Sequence, residues 1–197
     1  MNRSDLAELH YIAPMVNVPS ILERGILSKR RADRFKPESV AMRELQDIRE
    51  KVRVPGGRRL HEYANLYISA RNLMLFKRSD LHLELCVLRI DTGVLDLPGA
   101  IVADGNAASD YTAFWPAPSG LDRVDRDLVF AEYWTDPNEI RQWEKGRVKC
   151  AEVLVPEKID PAFILGAYVS CEEARARLES RDVDLPFAID GHLFFRN

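Results

Sequence analysis

Short β-prone runs recur along this chain with helical patterns between them, but the two do not alternate as regular strand–helix–strand units. The clearest runs cover residues 83–90, 99–103, 150–155, 163–169 and 192–195, each rich in Val, Ile, Leu or aromatics. Two shorter ones, LHYIAP and ANLYISA, lie nearer the start. Helical patterns fall at residues 17–27, 38–53, 127–134, 137–146 and 171–181, with a helical turn in RNLMLFKR. Such an order favours an α+β fold over a doubly wound parallel sheet.

Local signals mark the helix ends. Asn17 reads as an N-cap with Pro19 in the first turn and Gly25 at the stop, and Ser170 as the cap of the last helix. In residues 38–53, Ala41, Leu45, Ile48 and Val52 form one apolar stripe, with Arg49 on its shoulder. Pro55-Gly56-Gly57 ends that helix.

With 197 residues, 46% of them hydrophobic, the chain can bury roughly 70% of its unfolded surface, which suits one domain over residues 1–197. No apolar run approaches the ~18 residues that cross a bilayer, and the start lacks a signal pattern, so a cytoplasmic location without a membrane partner is expected. Cys86, Cys150 and Cys171 lack CxxC spacing and read as reduced packing residues. The four scattered histidines give no metal motif, so no metal is expected. Rossmann, P-loop and hydrolase-elbow motifs are absent as well.

The net charge of -3 hides an asymmetry, because residues 24–59 hold twelve Lys/Arg against five Asp/Glu. That segment either attracts a phosphate backbone or phosphorylated cofactor, or forms a solvated face of paired charges. Glu152 stands in the otherwise apolar run CAEVLV, sharing a strand face with Cys150 and Leu154. It must face water or be held by a partner. Arg49 either snorkels over apolar neighbours or aims its planar donor fork into a pocket. DGNAASDYTAF, residues 104–114, is an ordered recognition loop or a long surface connection. His10 and Tyr11 either lie at a helix N-terminus that favours phosphate or complete a core edge.

Five segments in this order resemble the DarT-type nucleic acid ADP-ribosyltransferases, toxins of bacterial toxin–antitoxin systems. The carriers are HYIAPMVNVPSILERGILS, the Arg49 helix followed by PGGRRLHEY, then YANLYISARNLMLF, DGNAASDYTAF and KCAEVLVPEKI. The resemblance implies an ADP-ribosyltransferase fold, a split pair of twisted, mainly antiparallel sheets with flanking helices around an NAD cleft. It implies Glu152 and Arg49 as catalytic residues. Glu152 would steady the oxocarbenium-like centre as the nicotinamide–ribose bond breaks, and either residue would help remove a proton from the attacking base.

His10, Tyr11, Asn17, Tyr67, Ser69 and Met74 match the NAD-binding stretches. Where relatives read aromatic-His-hydrophobic-Thr, this chain reads His10-Tyr11-Ile12-Ala13, so the ribose contact falls to Tyr11 or to a shifted His10. Asn106, Tyr111, Thr112 and Phe114 match the region near the nucleic acid target, where aromatics stack on unpaired bases. The implied activity is transfer of ADP-ribose from NAD to a base in single-stranded DNA, opposed by a macrodomain antitoxin. The alternatives are an RNA or protein acceptor, or a nucleic acid-binding module without turnover.

Overall fold

A computed structural model describes residues 1–39 and 43–196. In chain order the elements are β1 (Leu9–Pro14), α1 (Val18–Arg24), β2 (Ile26–Leu27), α2 (Lys29–Ala32), α3 (Arg43–Lys51), β3 (Tyr63–Tyr67), α4 (Leu73–Phe76), β4 (Leu85–Ile90) and β5 (Ile101–Ala103). Then follow β6 (Phe114–Pro116), α5 (Arg126–Phe130), α6 (Glu139–Lys149), β7 (Glu152–Pro156), β8 (Lys158–Ile159), β9 (Ile164–Val169), α7 (Glu172–Glu179) and β10 (Phe187–Ile189). Eight strands form one sheet in the order β10-β9-β4-β1-β3-β7-β5-β6, and β2 pairs with β8. Every pairing is antiparallel except β10 with β9.

The expected split is visible in the registers. β1 pairs with β4 from Leu9↔Ile90 to Pro14↔Leu85, and β3 with β7 from Tyr63↔Pro156 to Tyr67↔Glu152. Between β1 and β3 the register is the single pair His10↔Tyr67. Two four-stranded halves therefore meet at one point.

Period-two alternation sorts the side chains. Leu9, Tyr11, Ala13, Leu66, Val153, Val155 and Leu88 turn to the main core. The opposite face carries two smaller apolar clusters. One gathers Ile12, Leu85, Val87 and Phe194 with Tyr67 and Met74, and the other gathers Val54, Leu60, Tyr63, Ala103, Ala107 and Leu154 with Val52 and Phe114. Polar groups occupy the interval between them.

Several expectations need correction. The 192–195 run forms turns, and its apolar character comes from Phe194, wholly buried in the second cluster. α6 continues to Lys149 through Gly146, where a Cβ would stand 3.0 Å from Leu73 Cδ2; the glycine admits a neighbour and does not stop the helix. Cys150 consequently caps α6 and is not a strand residue. Ser170 is engaged by His82, and the N-cap of α7 is Cys171. In α3, Ala41 and the side chain of Leu45 lie outside the described residues, and Ile48 is 45% exposed. Polar contacts, not a continuous buried stripe, seat this helix: Arg49 bonds Glu152, and His61 Nε2 lies 3.2 Å from Gln46 Oε1.

Candidate active site

Direct cross-strand partners project from one face of a sheet. The registers Arg89↔His10, His10↔Tyr67, Tyr67↔Glu152, Glu152↔Ala103 and Ala103↔Phe114 therefore set a row of side chains across six strands. At ~4.8 Å per strand, His10 stands about 10 Å from Glu152.

Glu152 is 1% exposed and is held by three donors. Arg49 gives a forked pair, Nη1 to Oε1 at 3.0 Å and Nη2 to Oε2 at 2.9 Å, and the Ala107 N–H donates to Oε1 at 3.0 Å. A carboxylate offers about four acceptor positions, so one remains free, on Oε2. Burial works against the Arg49 charge, but the Glu152 carboxylate outweighs it and raises the guanidinium pKa. Burial, reinforced by the Glu152 charge, raises the Tyr67 phenol. Burial also pushes the Cys150 thiol up to about 11.

Ala107 is placed by its loop. Asn106 N–H donates to the Arg147 carbonyl, Thr112 Oγ1 to the Asn106 carbonyl at 2.7 Å, and Ala113 N–H to Asp104. Arg147 on α6 bonds Asp104 at 3.1 Å and Thr112 at 3.4 Å, and it fills the space that a Cβ on Gly105 would need. The 104–114 segment is thus an ordered loop lashed to a helix.

Two strands away from Glu152 along the row, His10 is braced. Its Nδ1–H donates to the Ile68 carbonyl at 3.2 Å, while Nε2 lies 3.4 Å from Glu8 Oε1. Glu8, 8% exposed, also accepts from Arg89 Nε at 2.7 Å, and the Arg89 guanidinium lies 5.1 Å over the Tyr168 ring. Burial tends to raise the Glu8 pKa, yet hydrogen bonds from His10, Arg89 and Tyr168 bring it down to about 2.

The structure groups Glu152, Arg49, Tyr67, His10 and Phe114, with Met74 packed near Tyr67 and Ser69 buried just beyond β3. Tyr11 turns the other way, into the main core, whereas His10 stands in the row. Asn17 does not cap α1 through its side chain; its amide donates to the Glu38 carbonyl at 2.8 Å and its Oδ1 accepts from Glu38 N–H at 3.2 Å. It holds the chain that leads to α3. Asn106 and Thr112 shape the loop from within, whereas Tyr111 is 76% exposed, edge-on to Trp143 at 5.1 Å.

Sequence reasoning missed Ala107, Arg147, Glu8 and Arg89. A backbone donor such as Ala107 leaves no side-chain signature, and Arg147 sits inside an ordinary helical pattern. Glu8 was findable, two residues before His10 and so on the same strand face.

The family model described as "ssDNA thymidine ADP-ribosyltransferase, DarT" matches residues 10–195. The chain belongs to this family.

Among DarT-type relatives, a DNA ADP-ribosyl transferase–DNA ADP-ribosyl glycohydrolase fusion protein of Thermosipho africanus (strain H17ap60334) is 31% identical over 200 residues, 95% of this chain and 49% of the relative. The chain thus spans about half the length of that fusion. A DNA ADP-ribosyl transferase of Thermus sp. (strain 2.9) is 25% identical over 170 residues, covering 79% of this chain and 78% of the relative. The solved structure of Thermosipho africanus DarTG in complex with ADP-ribose superposes with a TM-score of 0.83 at 28% identity, over 96% of this chain and 51% of that one. Thermus sp. 2.9 DarT in complex with ADP-ribosylated ssDNA has the same fold, with a TM-score of 0.80 at 20% identity over 98% of both chains. Among the described residues no three His, Cys, Asp or Glu side chains gather as a metal site, and no helix is long and apolar enough to cross a membrane.

Proposed function

We propose that this protein transfers ADP-ribose from NAD to a thymidine base in single-stranded DNA, releasing nicotinamide, and that it is the toxin of a pair whose antitoxin is a macrodomain hydrolase. The observation that carries this reading is the forked Arg49–Glu152 contact in a row that also presents Tyr67 and His10. The site's chemistry fits NAD. Glu152 keeps an acceptor position for a ribose hydroxyl, Tyr67 offers a phenol ring, and His10 is held rigidly by Glu8 and Ile68. NAD supplies an ADP-ribosyl group with nicotinamide as its leaving group.

The Glu152 carboxylate is placed to stabilise positive charge at the ribose, inside a site where fixed charges act more strongly than in water. Arg49 fixes the carboxylate's plane. It stays protonated, since a guanidinium is not deprotonated in proteins and Glu152 raises its pKa further. Glu152 is therefore the group of this pair able to accept the proton from an attacking base nitrogen. An unpaired base has its ring nitrogens free, whereas a duplex would require flipping.

The test is labelling with NAD and matched single-stranded DNA, duplex, RNA and protein acceptors. Label on the single-stranded DNA is expected, and label on RNA alone overturns the assignment. The toxin role is tested by expression in a bacterial host: growth arrest is expected from the wild type, and arrest that persists unchanged in Glu152→Ala overturns it. The glycohydrolase half of the Thermosipho africanus fusion supports a macrodomain partner.

A further inference from the structure

The charges of residues 24–59 divide into two populations. Lys29 is paired with Asp33, Arg30 with Glu62, and Arg31 and Arg58 with Glu157. Lys51, Arg53 and Arg59 have no carboxylate partner among the described residues. They line, together with Glu50, a hollow of about 440 Å³.

The backbone forces two of these cations together. Arg53 and Arg59 face each other across an isolated antiparallel bridge closed by the turn at Pro55-Gly56-Gly57, where Gly56 takes the left-handed φ of 67°. Val54 N–H donates to the Arg58 carbonyl at 3.0 Å and Leu60 N–H to the Val52 carbonyl at 2.9 Å. These bonds flank the Arg53↔Arg59 pair, which is thus the non-hydrogen-bonded kind, where Cα atoms stand only ~4.5 Å apart and side chains come closest. Like charges directly opposed across strands destabilise a hairpin. Arg53 Nη1 also donates to the Gly57 carbonyl at 3.4 Å, a weak contact that supplies no opposing full charge. The hairpin is nevertheless firmly seated, with Val54 and Leu60 each 1% exposed in the cluster that also holds Ala107 and Leu154.

We propose that Arg53 and Arg59, with Lys51, form a phosphodiester-binding site that grips the acceptor strand beside the reacting nucleotide. This site deepens the proposed function and rests on it. Arg53 follows Arg49 by four residues, within about 14 Å of chain, so a strand held there is delivered to the edge of the cleft where Arg49 meets Glu152. Its neighbouring cations Arg30, Arg31 and Arg58 are drawn to Glu62 and Glu157, which weakens their claim on an anion relative to the hairpin pair.

The experiment measures binding of a fluorescent single-stranded oligonucleotide across salt concentrations for the wild type, Arg53→Ala/Arg59→Ala and the charge-matched control Arg175→Ala/Arg177→Ala. The control removes α7 arginines paired with Glu179 and Glu173. Single-strand binding loses ~0.7 in log–log salt slope per phosphate contact, so the hairpin variant is expected to lose about 1.4 while the control keeps the wild-type slope. Because both arginines are exposed, the variant's melting temperature is expected to equal or exceed that of the wild type. An oligonucleotide with uncharged methylphosphonate linkages should erase the difference between variant and wild type. An unaltered slope in the hairpin variant, or an equal loss in the control, overturns the site even where the wild type labels single-stranded DNA. A wild type that leaves such DNA unlabelled overturns the proposed function instead.

Discussion

Arg49 and Glu152, 103 residues apart, meet through two parallel hydrogen bonds of 3.0 and 2.9 Å. Lysine keeps the charge but not the fork. Arg49→Lys is therefore expected to lose about 10²-fold in transfer, on the scale of a missing preorganised donor. Arg49→Ala leaves a buried carboxylate with the Ala107 N–H alone, at a cost of about 3–5 kcal/mol. Kinetics and thermal melting of both variants check this; equal melting temperatures for Arg49→Ala and the wild type would contradict it.

Arg147 orders the loop that delivers the Ala107 N–H. Arg147→Ala should lower kcat about tenfold, because a misplaced orienting donor acts on geometry. Amide hydrogen exchange across residues 104–114 should rise in step. Protection unchanged from wild type would show the loop to be held by other means.

Glu8 braces His10, which the proposed reading sets against NAD, so Glu8 is predicted to be a positioning residue. Glu8→Gln is expected to raise KM for NAD about fivefold to tenfold with kcat nearly constant, and Glu8→Asp to restore part of the loss. The acid limb supplies a second readout. Its pKa falls from 4.5 to about 2 on folding, so its stabilisation is complete above about 4.5 and is lost as pH drops toward about 2. Allowing for screening at the partly open Arg89, it amounts to about 2 kcal/mol. Glu8→Gln should flatten the stability curve in that window.

Lys149 is 2% exposed and donates to the carbonyls of Val129 and Ala131 at the end of α5. Burial lowers its pKa from 10.5 to about 8. The unfolded chain then binds more protons between these values, so this group adds stability as pH rises from about 8 to 10.5. Denaturant titrations of wild type and Lys149→Met should differ by that rise; parallel curves would refute it.

Much of the site was legible locally. The period of β7 set Glu152 on the face it shares with Leu154, and the 104–114 composition favoured an ordered loop. What required the fold was pairing over long separations, Arg49 to Glu152 and Arg147 to Asp104, and the facing of β1, which sets His10 in the row and Tyr11 in the core. Local rules misled where tertiary neighbours override them. Gly146 looks like a stop but makes room for Leu73, Asn17 looks like a cap but binds Glu38, and the 192–195 run looks like a strand but buries Phe194 in a turn. The sequence left the basic segment's two readings equal, and the structure shows, among the described residues, paired and unpaired cations side by side in it.

Because His10↔Tyr67 is the lone register between the two half-sheets, the molecule is stitched at one point and each side can be remodelled without unpicking the other. The row of side chains crosses that seam, with His10 and Arg89 on one side and Tyr67, Glu152 and Arg49 on the other.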